Sequence, residues 1–203
     1  MPSAEPTRRE RERARHRAEI LAAAEALLVE RGLDGTTMED IARKSEFAVG
    51  SLYRFFASKE ELVEALVVAR TEAFAAALAA LAVDAPSYAD ALDGLLVLHG
   101  SEVQRTAPLM QFLLSGKHRL SLDPAGSPLK ACLFGVIGAT EALVGRGVRE
   151  GVLAGDPHAM AVVLLALLDG FSRHALISGD PDLAPKPDVI RAAFHDGFRR
   201  RNP

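Results

Sequence analysis

In this chain of 203 residues, the side chains best suited to chemistry lie between Thr36 and Lys59. Gly50, Ser51, Tyr53 and Arg54 place a short residue, two hydroxyls and a cation in one small stretch, directly after Ala48 and Val49. A surface that approaches the edges of stacked bases needs short residues where the backbone comes close, with hydroxyls and cations reaching phosphates on either side. Thr36 and Thr37 precede this set, and Lys59 follows it in Ser58-Lys59-Glu60-Glu61, a capping box that opens a further helix. Free backbone N–H groups in that first turn also favour phosphate. The Lys59 cation opposes the helix dipole there, which makes sense if an anion arrives.

No comparable constellation marks a reaction centre, a metal or a cofactor. His16, His99, His118, His158, His174 and His195 are scattered without a partner carboxylate at metal-ligand spacing, although His99 and Glu102 share a helix face. There is no glycine-rich phosphate loop and no nucleophile elbow. Cys132 reads as a small buried apolar residue, and a single cysteine excludes an intrachain disulfide. No catalytic residue and no cofactor is assigned. A helical enzyme or small-molecule-binding protein without DNA activity is the alternative class, and it would need a constellation in the C-terminal part.

Holding Gly50, Ser51, Tyr53 and Arg54 outward requires two short amphipathic helices across a tight turn. The first begins at the Thr36/Thr37 pair, where a threonine followed three residues later by Glu39 or Asp40 forms a capping box. Ile41 and Ala42 face inward, and the small Ala42 lets the helix axes come close. The turn is Ser45-Glu46-Phe47, with Phe47 as the plug. In the second helix Leu52 and Phe56 point into the core at i and i+4.

The order TT…IA…LY.FF.SKEEL resembles the DNA-binding domain of the tetracycline-repressor (TetR) family of bacterial transcription regulators, over roughly Ile20 to Leu66. The resemblance puts phosphate contacts on Thr37, Tyr53 and Lys59 and base-facing positions on Val49, Gly50 and Ser51. Three positions depart from the family pattern: Glu46 replaces the turn glycine, Ala48 the residue that opens the recognition helix, and Val49 the polar residue after it. A left-handed Glu46 costs about 1 kcal/mol, and the missing cap about 1 more.

With 49% apolar residues the chain can bury a sizeable core in one or two domains. No secretory h-region follows the N-terminal arginines. The longest apolar run, Ala73 to Val83, is shorter than the roughly 18 to 20 residues of a membrane span. A cytoplasmic protein without a membrane partner is expected. The net charge is −3, yet Met1 to Arg17 hold six arginines against three glutamates. Either this segment is an arm that follows the phosphate backbone or enters the minor groove, or it is a solvated helix start with Arg/Glu pairs.

The pattern is all-α throughout. Met1 to Thr7 is read as a floppy tail, and helix 1 runs from Arg8 or Arg15 to Arg31, ending at Gly32. An N-terminal arm and helix-turn-helix domain (1–59) precedes a ligand-binding and dimerisation domain (60–203), with helix 4, about 59–81, shared between them. A helix opens at Ser87/Asp90 and ends near Arg105, and a short one covers Ala107 to Gly116. Others run from Pro128 to about Gly151, from Pro157 to about Ile177, and through Val189 to Phe198. Ser121–Pro128 and Ser178–Pro187 are loops.

The helix from Ala159 to Phe171 is apolar nearly all round and must be covered on more than one side. The resemblance implies that one face lines an effector cavity while the other, with the last helix, pairs with a second subunit. Two-fold symmetry would double the contacts on a palindromic operator in double-stranded DNA. Candidate pocket residues are His99, Val103, Phe112, Phe134, Leu167 and Phe171, with Gln111 and Thr140 as further polar candidates. They point to an apolar or amphipathic small-molecule effector. The resulting expectation is a homodimeric, DNA-binding transcriptional repressor.

Overall fold

The computed structural model describes residues 5–114, 128–178 and 186–199, the side chains of 108–114 and of 176 excepted. They form eight helices: α1 (Arg8–Arg31), α2 (Met38–Lys44), α3 (Val49–Leu52), α4 (Lys59–Asp84), α5 (Tyr88–Leu114), α6 (Pro128–Arg149), α7 (Pro157–Ser178) and α8 (Pro187–Phe198). The fold is all-α. Its one extended pairing among the described residues is an isolated bridge between Leu153 and Arg199.

The chain divides into two compact units, one holding everything up to Val67 together with the end of α5 from Pro108, the other Val68–Ala107 and the chain from Ser121. In the first unit α1 takes the earlier of the two expected starts, at Arg8. The Thr7 hydroxyl accepts from the Glu10 N–H while the Glu10 carboxylate accepts from the Thr7 N–H, a full capping box that makes Arg8 helical. Ile20, Leu21, Ala24, Leu27 and Leu28 line its buried side. Gly32 stops it at φ 68°, a backbone angle that costs other residues more. Buried Ile41, Ala42, Leu52, Phe56, Leu62 and Leu66 from α2 through α4 complete this core.

In the second unit Leu92, Leu95, Leu143, Leu164, Leu168 and Phe194 are sealed from solvent in one cluster with Tyr88. Gly147 of α6 is required by close approach. A Cβ there would stand 2.9 Å from Leu153 Cδ1 and 2.9 Å from the Tyr88 ring. Cys132 is buried, its Sγ 3.7 Å from Glu72 Oε1. Burial, with the nearby Glu72 charge, pushes its thiol pKa up.

Two expectations change. α5 does not break near Arg105 but continues to Leu114 with Pro108 inside it. Proline there removes the N–H that would bond the Gln104 carbonyl, yet the helix continues past that gap. By length and composition α4 and α6 also qualify as possible membrane spans, although no uninterrupted apolar run is long enough. Leu62, Leu66 and Leu78 of α4 and Val136, Leu143 and Val144 of α6 are buried within the protein, while the larger part of each apolar window is not. The expected loop Ser121–Pro128 lies, up to residue 127, outside the described residues, as do residues 179–185 of the second loop.

Candidate nucleic-acid interface

The first side of this interface is set by the caps of α2. Thr37, not Thr36, is its N-cap: the Thr37 hydroxyl accepts from the Asp40 N–H at 3.1 Å, and Asp40 accepts from the Thr37 N–H at 3.1 Å. These bonds from Thr37 hold the Asp40 carboxyl below its ordinary pKa. Thr36 is turned into the protein, 1% exposed, and its hydroxyl donates to the Gly32 carbonyl at 2.8 Å. Its side chain is therefore withdrawn from the outer face on which it was expected, because the end of α1 leaves carbonyls that need a donor. Thr37 remains exposed beside it.

The turn takes the strained form. Glu46 has φ 61°, and among the described residues it is the one non-glycine with positive φ. This conformation brings the Phe47 N–H back to the Ala42 carbonyl at 2.9 Å, which satisfies an orphan acceptor at the end of α2. Ala48 then caps α3 without any side-chain hydrogen bond. Phe47 meets the edge of His16 at 5.2 Å and of Phe55 at 6.3 Å, so a small aromatic cluster braces the turn from α1.

α3 is short, and Leu52 and Phe56 bury themselves as the periodicity predicts. That fixes the opposite side outward: Val49 is 36% and Tyr53 47% exposed, and Ala48, Gly50 and Arg54 are exposed as well. A Cβ built at Gly50 meets nothing within 4 Å. Nothing inside the protein demands glycine there, so its small size matters only to something approaching from outside. Ser51 is half-buried and accepts from Arg54 at 3.0 Å. Lys59, in the first turn of α4, donates from Nζ to the Leu33 carbonyl, a contact between residues too far apart in sequence to be foreseen. Ser58 accepts from the Glu61 N–H at 3.2 Å, while Glu61 reaches back to the Ala57 N–H at 2.6 Å.

Of the five candidate pocket residues whose side chains are described, Leu167 and Phe171 share a cleft and His99, Val103 and Phe134 do not join them there. His99 is buried edge-on to Phe74, with ring centroids 6.2 Å apart, and its Nδ1 has no partner. Burial pushes its imidazole pKa down to about 4. Val103 is half-buried. Phe134 is 62% exposed, because α6 turns Cys132, Val136 and Thr140 inward and position 134 falls on the opposite side. Thr140 is sealed, its hydroxyl donating to the Val136 carbonyl at 2.8 Å. Leu167 and Phe171 share a surface cleft of about 280 Å³ with Ala166, Gly170 and His174. The Phe112 and Gln111 side chains lie outside the described residues. A cleft of about 420 Å³ that the sequence did not indicate is lined by Tyr88, Asp93, Glu150, Arg191 and His195. Glu102, expected to share a face with His99, pairs instead with Arg70, and His158 Nδ1 stands 3.0 Å from Glu141 Oε2, a pairing the sequence spacing concealed.

Against known proteins, residues 20–66 match the family model of the bacterial regulatory proteins, tetR family. Over 51 residues the chain is 51% identical to the HTH-type transcriptional repressor KstR2 of Mycobacterium tuberculosis, a match spanning 25% of this chain and 26% of that repressor. Among solved structures, two with a similar fold cover most of this chain. A TetR transcription regulator from Haloarcula marismortui superposes with TM-score 0.71 at 19% identity, covering 92% of this chain and 100% of that one. The TetR transcriptional regulator SCO0520 from Streptomyces coelicolor gives TM-score 0.64 at 25% identity, covering 92% and 99%.

Proposed function

We propose that this chain, whose residues 20–66 form the DNA-binding domain of the tetR family of bacterial regulatory proteins, is a cytoplasmic transcriptional repressor. It binds a palindromic operator in double-stranded DNA as a homodimer and is released by a small apolar or amphipathic effector. The observation that carries the reading is the outer side of α3: Val49, Gly50 and Tyr53 are exposed together, flanked by Thr37 and Lys59, while Leu52 and Phe56 are locked inside. Small residues on that side admit base edges, and the flanking hydroxyls and ammonium suit phosphate. The name of the mycobacterial relative supports repression as the mode.

Dimerisation is supported by the outward side of α7, where Val162 is 46% and Val163 39% exposed. Phe194 of α8 does not belong to such a surface, because it is fully buried in its own subunit. For the effector, Leu167 and Phe171 remain the pocket candidates that share a cleft, and His99 is a buried polar group without a partner. α4 runs from Lys59 into the second unit and is the element through which occupancy would reach the DNA-facing residues. A coupling of about 1 to 3 kcal/mol suffices for release.

The test is selection of bound sequences from random duplex DNA, followed by titration of the selected site. A two-fold symmetric site should emerge. Tyr53→Phe and Lys59→Ala should weaken binding to every sequence, whereas Val49 and Ser51 variants should change which sequence is preferred. Unchanged affinity in both Tyr53→Phe and Lys59→Ala refutes the assignment.

A further inference from the structure

We infer that the first turns of α1 carry a second phosphate-binding stripe, formed by Arg9 and Arg13, which extends the helix-turn-helix contact along the backbone of duplex DNA. The inference rests on the function proposed above. Because the Thr7 capping box makes the segment helical from Arg8, its arginines do not form a loose arm but divide between faces. Arg9, Arg13 and Arg17 repeat at i, i+4 and i+8, and His16 and Ile20 share their side.

Where this side meets the rest of the unit, it is anchored next to α3. Ile20 is fully buried, and the Arg17 guanidinium lies 5.1 Å from the centre of the Phe56 ring. His16 packs edge-on against Phe47, which precedes α3, and Phe55, which follows it. Arg13 and Arg9 continue the line as exposed residues, about 6 and 12 Å along the axis from Arg17 at 1.5 Å per residue. Each DNA strand presents a phosphate about every 3.4 Å of axis, so the stripe is long enough for a few successive phosphates. A helix is about 10 Å or more across and the minor groove about 6 Å wide, so the segment follows the backbone and does not enter that groove.

The two faces differ in what already holds their charges. On the other face Arg11 donates to the Pro6 carbonyl and Arg15 pairs with Glu19 at 3.5 Å. Among the described residues, neither Arg9 nor Arg13 has a carboxylate partner. Two acids lie within helical reach: Glu10 is engaged by the Thr7 N–H and hydroxyl at 2.7 and 2.8 Å, and Glu12, three residues after Arg9, forms no ion pair with either arginine. The acceptor that fits exposed, unpaired guanidinium groups in a row beside a recognition helix is a line of phosphates.

The experiment titrates the full chain against a mixed-sequence duplex over a range of salt concentrations. It compares Arg9→Ala/Arg13→Ala with Arg11→Ala/Arg15→Ala, which removes the same charge from the other face. The first pair should lower the log–log salt slope by about 1.8 per subunit, at about 0.9 per phosphate contact, and the second by less than half of that. Arg9→Lys/Arg13→Lys should retain most of the slope, which separates lost contact from a frayed helix. Equal effects of the two alanine pairs would mean a diffuse field and overturn the stripe. An unchanged slope in Arg9→Ala/Arg13→Ala, with Lys59→Ala still weakening binding, would overturn it and leave the proposed function standing. Failure of the unaltered chain to bind any duplex would remove both.

Discussion

Replacing His99 by leucine should remove an acid sensitivity that the wild-type protein carries. The imidazole is 8% exposed, packs against Phe74, and leaves Nδ1 buried without a hydrogen-bond partner. Burial disfavours its charged form and pushes its pKa down to about 4. In the unfolded chain the same ring titrates near about 6.5. Between these values the unfolded state holds a proton that the folded state refuses, so stability is lost as pH falls through that window. At about 1.36 kcal/mol per pH unit the full span is worth about 3 kcal/mol. Asp169 opposes this, since partial desolvation of its carboxyl raises the pKa and a raised carboxyl favours folding as pH falls. The difference between wild type and His99→Leu is therefore the quantity to follow. Urea unfolding of both proteins from pH 7.5 to 4.5 should show the wild type losing about 2 kcal/mol or more relative to the variant. Curves that stay parallel within about 0.5 kcal/mol would refute the buried neutral imidazole.

Two further substitutions probe backbone geometry. Glu46→Gly relieves a left-handed residue at φ 61° worth about 1 to 2 kcal/mol, against about 0.5 to 1 kcal/mol of added chain entropy. A net gain of about 0.5 to 1 kcal/mol in chemical denaturation is expected, and a loss would contradict the strain. Gly147→Ala places a methyl 2.9 Å from both Leu153 and the Tyr88 ring, and should cost about 1 to 3 kcal/mol. A thermal midpoint equal to that of the wild type would show that α6 can shift to admit it.

The sequence was most legible where local rules act alone. The capping box at Thr37, the inward Leu52 and Phe56, and the uncapped α3 after Ala48 all follow from nearest-neighbour chemistry, and the structure contains them. The same rule applied at Thr7 and Glu10 selects Arg8 over Arg15 as the start of α1. Pro108 misled in the other direction, because a proline marks a weak point in a helix without obliging a break there. Contacts between distant residues were out of reach. Neither the Lys59 bond to Leu33 nor the Arg70 pairing with Glu102 has any signature in spacing. The pocket candidates suffered from the same limit. Phe134 has the chemistry of a pocket residue, but which side of α6 is buried depends on what packs against it.

The hold of Leu33 on Lys59 bears on how the ammonium would greet an anion. A lysine clasped by a carboxylate must trade one opposite charge for another, so its loyalty is divided when a phosphate arrives. Lys59 is instead tethered to a neutral carbonyl, which occupies one of three N–H donors and leaves its full positive charge uncommitted. Part of the rotamer freedom of its four-carbon stem has already been surrendered during folding. The side chain thus resembles a hook set at fixed height, with two donors to spare and, among the described residues, no paired acid to dislodge.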